Sequence, residues 1–164
     1  MAPHVSVAVR AATASIAGRQ ASWIATLEPW LGLGYSPVSL RRFLRRAADS
    51  GQVWVAWGAN SPASRDPLGL LVVQPGVLLG DFVALLAVRS EAAGQGIGRA
   101  LMGHAESKTF VDRRWLFVSA DSANRAALGF YRKLGFLRVG RLPDLVRVGR
   151  TEILLRKGQS TTRG

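Results

Sequence analysis

The stretch LLAVRSEAAGQGIGRALMGHAE, residues 85–106, constrains the fold more than any other part of the chain. An apolar β-type run, VALLAV (83–88), ends, a short loop follows, and a helical pattern begins among Gly94, Gly96 and Gly98. A strand that is apolar on both faces belongs in the middle of a sheet. The start of a helix carries unpaired N–H donors and a partial positive charge. Glycines at that point remove the side chains that would cover those donors. The segment therefore predicts an anion cradle suited to phosphate or pyrophosphate, with Arg99 adding a full charge in the first turn. The plainer reading is a tight strand–helix turn without a ligand. Against it, each glycine in a helical position costs about 1 kcal/mol relative to alanine.

Neither common nucleotide fingerprint fits the cradle. A P-loop needs Lys-Ser or Lys-Thr after its last glycine, and Arg99-Ala100 follows Gly98. The dinucleotide pattern needs a glycine at position 99, which is Arg, and an acidic residue beyond it.

The rest of the chain reads as one mixed α/β domain over residues 1–157, with 158–164 as a flexible tail. Strands are expected at residues 5–9, 52–57, 68–74, 83–88 and 114–120, with two more after residue 136 joined around Pro143. Pro75-Gly76 reads as the turn after the third of these. Helices are expected over residues 13–27, from Ser36-Pro37 to Gly51, over 96–110 and over 123–134. The approximate order is ββ-αα-βββ-α-β-α-ββ.

Composition narrows the chemistry. There is no cysteine, which excludes disulfides, cysteine-ligated metals and thiol nucleophiles. Two histidines, His4 and His104, are too few for a histidine metal site, so no metal is expected. No apolar run is long enough to span a bilayer, and residues 1–10 lack a signal-peptide pattern, so a cytoplasmic protein without membrane partners is expected. The net charge of +12 invites a nucleic-acid reading. The basic residues are nearly all arginine and are scattered along the chain, and a small anionic cofactor accounts for some of them equally well. Nucleic acid is accordingly the less favoured partner.

Two motifs together resemble the GNAT superfamily of N-acetyltransferases. Its pyrophosphate loop, Gln/Arg-x-x-Gly-x-Gly/Ala, aligns with EAAGQG (91–96), although Glu91 stands at the first position. Its second mark, an Asn followed by Tyr and Lys-Leu-Gly-Phe, aligns with NRAALGFYRKLGF (124–136). The resemblance covers about residues 68–156 and implies a central mixed sheet of six to seven strands, mostly antiparallel, flanked by about four helices.

The resemblance also implies a reaction: acetyl-CoA donates an acetyl group to a primary amine by direct attack in a ternary complex. The backbone of Leu86, Ala87 and Val88 would pair with the pantetheine arm. Ala93, Gly94, Gln95, Gly96, Ile97, Gly98 and Arg99 would hold the pyrophosphate. Asn124 would contact the arm or cap its helix, and Tyr131 would protonate the thiolate, unless it is only a packing residue. Asn124 and Tyr131 lie nearly two helical turns apart and so share one face. The strand at 83–88 holds no carboxylate, so Asp81 is the nearest candidate base, with a turn residue as the plainer reading. Trp30 and Tyr35 would wall the pocket of a small-molecule or peptide amine, or simply pack. His104 reads as a helix-packing residue. RRFLRRAA (41–48) reads as a solvated amphipathic face or as a patch that steers an acidic acceptor. A homodimer is compatible with the family. The rival readings are an acyl-CoA-binding sensor without turnover and a basic nucleic-acid-binding module.

Overall fold

Thr13 and Ser36 set where the first helices begin. In the computed structural model, which describes residues 6–58 and 66–160, Thr13 Oγ1 accepts from Ile16 N and opens α1 (Ala14–Arg19). Ser36 Oγ accepts from Ser39 N at 3.1 Å, and Pro37 occupies the first turn of α3 (Pro37–Asp49). Both are side-chain caps on otherwise orphaned donors. The single helix expected over 13–27 is divided at Gln20 into α1 and a short α2 (Ala21–Ile24). Gln20 is fully buried. Its Nε2 donates to Ile16 O at 2.8 Å and its Oε1 accepts from Trp23 Nε1 at 2.9 Å, so the break costs no unpaired polar group.

The seven strands are β1 (Val7–Ala11), β2 (Val53–Gly58), β3 (Gly69–Val77), β4 (Gly80–Val88), β5 (Trp115–Asp121), β6 (Leu137–Pro143) and β7 (Thr151–Gly158). They form one sheet in the order β1-β2-β3-β4-β5-β7-β6, with the apolar β4 in the middle. The β1–β2, β2–β3, β5–β7 and β6–β7 pairs are antiparallel, and β4–β5 is parallel. Helices α4 (Ile97–Thr109) and α5 (Arg125–Lys133) complete the mixed α/β architecture. No helix among the described residues is long and apolar enough to cross a membrane.

Several boundaries differ from the sequence reading. One strand, not two, precedes the first helices, and it starts at Val7; Val5 and His4 lie outside the described residues, as do residues 59–65 of the loop before β3. Pro75-Gly76 is not the turn. β3 continues to Val77, and the chain reverses at Leu78-Leu79, with φ of +48° and +62°. Gly76 N donates to Asp81 Oδ1 at 3.3 Å, which holds the strand ends together beyond Pro75. β7 takes in Gly158, and Gln159 Nε2 donates to Phe110 O at 3.1 Å, two residues into the stretch read as a tail; residues 161–164 lie outside the described residues.

By internal packing the chain divides into two units, residues 1–73 with 84–104 and residues 74–83 with 105–164. In the first unit, Leu40, Leu44 and Ala47 of α3 recur at helical spacing and are buried with Ile24, Val53, Val55, Leu70, Val72, Leu85 and Ala87. Truncating one of these leucines to alanine would cost about 2–5 kcal/mol. In the second unit Leu116, Val118, Leu128, Tyr131, Phe136, Ile153 and Leu155 are buried. The β4–β5 ladder there runs from Gly80↔Trp115 to Val83↔Val118. A Cβ at Gly80 would collide with the Trp115 carbonyl oxygen, so only glycine fits where that ladder begins.

Candidate functional site

The glycine-rich loop belongs to the first unit. After Arg89 the chain makes a 3-10 turn over Ser90–Ala92. The loop spends two of its own donors: Ala93 N bonds Ser90 O at 3.2 Å and Gln95 N bonds Ala92 O at 3.3 Å. The side chain of Gln95 also turns back, to Glu91 O at 3.1 Å. The helical pattern of bonds begins with Ala100 N to Gly96 O at 3.0 Å. The N–H groups of Gly94, Gly96, Ile97, Gly98 and Arg99 therefore bond to no described residue. They are the orphan donors that a helix start leaves.

Gly94 and Gly96 have φ of +73° and +83°, the left-handed region where a side chain is strained. A Cβ on either would meet nothing within 4 Å, so the space above the loop is open. The protein's own packing does not explain these glycines; backbone conformation and free space do. The base of the helix is fixed by Ile97 and Leu101, both buried, which crowd the site where Gly69 would carry a Cβ. Donors left without a protein acceptor beside open space suit an anion such as a diphosphate.

Arg89, which sequence reasoning did not single out, ties down the start of the loop. Its Nε donates to Pro67 O at 2.9 Å, and its guanidinium lies 4.8 Å from the centre of the Trp23 ring. It also approaches Asp66 and Glu91 at 3.8 Å each. Glu91, an anomalous residue for a pyrophosphate loop, is exposed and turned toward this cation. No local pattern announces Arg89, because Pro67 and Trp23 are 22 and 66 residues away.

Trp30 is half-buried and packs against the core of the first unit, in line with a packing role. Tyr35 is exposed, and its backbone N bonds Trp30 O at 3.0 Å. His104, on α4, has its ring centre 5.3 Å from that of Trp54, a packing contact.

Asp81, Asn124 and Tyr131 lie in the second unit. Asn124 Oδ1 accepts from Ala127 N at 3.1 Å and caps α5. Tyr131 is 7% exposed, with its ring 5.2 Å from Phe130 and 5.8 Å from Phe136. Burial pushes its phenol above the ordinary value, so it keeps its proton throughout the physiological range. The carboxylate of Asp81 serves the fold: Oδ2 accepts from Thr109 Oγ1 at 2.8 Å, Oδ1 from Gly76 N, and Arg113 stands 3.9 Å away. Asp81 is at the opposite end of β4 from Val88. Asp81 thus stands within β4 rather than in a turn, and its side chain ties that strand to Gly76 and Thr109.

The acetyltransferase (GNAT) domain model matches residues 49–138, more than half of the chain. No curated protein sequence matches it. Among solved structures, a GNAT-family acetyltransferase from Bacillus cereus superposes with a TM-score of 0.74 at 17% identity, covering 94% of this chain and 99% of that one. Arabidopsis thaliana NAA60 in complex with acetyl-CoA gives 0.75 at 15% identity, covering 93% and 98%. A ribosomal-protein-alanine N-acetyltransferase from Brucella melitensis gives 0.71 at 18% identity, covering 93% and 99%. At these identities the structures speak for the fold. With the seven-stranded mixed sheet, the family match establishes that the chain belongs to the GNAT acetyltransferases.

Proposed function

We propose that this protein transfers an acetyl group from acetyl-CoA to a primary amine of a small molecule or peptide, by direct attack within a ternary complex. The observation that carries the reading is the row of N–H groups at Gly94, Gly96, Ile97, Gly98 and Arg99 that bond to no described residue, with open space beside Gly94 and Gly96. These donors would bind the diphosphate. The backbone of Leu86, Ala87 and Val88 would orient the pantetheine arm, and an N–H there would stabilise charge on the reacting carbonyl oxygen. Asn124 would add a contact to the arm.

As co-substrate, acetyl-CoA supplies an acetyl thioester. The amine nitrogen bonds to the thioester carbon, the carbon–sulfur bond breaks, Tyr131 would give its phenolic proton to the departing sulfur, and the proton shed by the acylated nitrogen would return through water to the phenolate. A neutral phenol is the form needed, and burial favours it. The amine must first lose a proton. For a lysine-like amine at neutral pH that costs about 4–5 kcal/mol. With Asp81 engaged by Thr109 and Gly76, this proton would pass to water.

The test pairs thermal shift with thiol release. Acetyl-CoA should raise the melting temperature, because it binds only the folded chain, and an amine panel should yield an acceptor that releases free thiol. No shift at saturating ligand would refute the cradle. A shift without thiol release from any amine would point instead to an acyl-CoA sensor.

A further inference from the structure

We infer that the exposed face of α3 binds nucleic acid through its phosphates, as a second property of the chain that does not depend on the acetyl-transfer reading. In the sequence as a whole the basic residues are dispersed. On α3, Arg41, Arg42, Arg45 and Arg46 stand within two turns. None forms an ion pair among the described residues, although Asp49 follows on the same helix. Arg41 and Arg45, like Arg42 and Arg46, sit at i,i+4, where like charges repel and destabilise a helix. The apolar side of α3 is buried through Leu40, Leu44 and Ala47. The repulsion is thus built onto a helix that cannot turn the arginines away from solvent.

Two further details give the face a shape. The stems of Arg41 and Arg45 lie over α1, where a Cβ on Gly18 would meet Arg45 Cγ at 2.9 Å and Arg41 Cγ at 3.4 Å. On the other flank a groove of about 310 Å³ is lined by Ser39, Phe43, Arg46, Ala47, Ser50 and Gln52. A guanidinium beside a half-buried phenyl ring offers a phosphate contact next to a surface on which a base can stack.

Charge density selects the partner. From Arg41 to Arg46 the helix advances about 7.5 Å, and duplex DNA presents one charge per about 1.7 Å. Over that length each strand carries about two phosphates, so the four cations match the four charges of the two strands together. Guanidinium forks match phosphate oxygens in pairs, which suits an arginine-built patch. Val38 is the only large apolar side chain standing exposed on α3, too little for insertion into a lipid surface.

The experiment measures anisotropy of a labelled oligonucleotide, single-stranded and duplex, with the full chain. Four phosphate contacts predict a duplex affinity that falls about 150-fold between roughly 50 and 200 mM salt. The variant R41Q/R42Q/R45Q/R46Q should bind at least about tenfold more weakly at low salt and lose most of the salt slope. The control K108Q/R114Q/R138Q/R141Q removes the same charge elsewhere and should change affinity less than about threefold. Arg42→Glu alone should weaken binding severalfold, which keeps the test decisive if the fourfold variant unfolds by circular dichroism. The inference is overturned if the control weakens binding as much as the α3 variant, if neither oligonucleotide binds, or if polyglutamate or phosphatidylserine vesicles bind as tightly.

Discussion

The guanidinium of Arg89 lies 4.8 Å from the centre of the Trp23 ring while its Nε holds the Pro67 carbonyl at 2.9 Å. The residue that follows the central strand is thereby anchored to α2 and to the chain entering β3. Replacing Arg89 by Lys keeps the charge but loses the planar fork that stacks and donates at once. The expected outcome is a loss of about 1–2 kcal/mol in stability and a severalfold weaker acetyl-CoA affinity. Denaturant melts and calorimetry check it. Unchanged affinity would show that the loop needs no such anchor.

Gly96→Ala separates backbone strain from occupancy. With φ at +83° and open space around a Cβ, alanine should cost about 1–2 kcal/mol without a clash. Its methyl would stand where the ligand is proposed to sit, and acetyl-CoA affinity should fall more than tenfold. If the thermal shift given by acetyl-CoA matches that of the unaltered protein, the loop is not the diphosphate site.

Tyr131→Phe has two readouts. If the phenol supplies the proton to sulfur, kcat should drop by about a hundredfold or more with acetyl-CoA affinity unchanged; equal kcat would remove that role. The second readout is alkaline stability. The folded state holds the Tyr131 proton to higher pH than the unfolded chain does. Its contribution is intact below about pH 10 and declines above it by up to about 1.4 kcal/mol per pH unit. The phenylalanine variant should lack that decline when the two proteins are unfolded side by side.

Asp81→Ala would leave the Thr109 hydroxyl and the Gly76 N–H without their acceptor. A loss of about 1–3 kcal/mol is expected, with turnover per folded molecule unchanged. A collapse of kcat in a protein that still melts cooperatively would return Asp81 to the chemistry.

Local patterns were readable because their causes are local. The caps at Ser36 and Asn124, the glycines at 94 and 96 and the apolar run 83–88 within the central strand each depend on residues within a few positions. What escaped depends on distant partners. Asp81 meets Thr109 28 residues on, and the break in the first helix follows from the burial of Gln20. The hairpin reversal was misplaced because Pro75-Gly76 carries the stronger turn signal, yet the bond from Gly76 to Asp81 keeps that pair within the strand. Leu78-Leu79 offers no turn signal at all.

That leucine pair has an engineering consequence. Both residues hold positive φ and stand exposed at 64% and 87%, so the molecule carries stored conformational tension at a tip where no buried contact depends on it. An Asn-Gly graft there would relax the bend and remove greasy surface at once, giving a tougher protein whose chemistry is left alone.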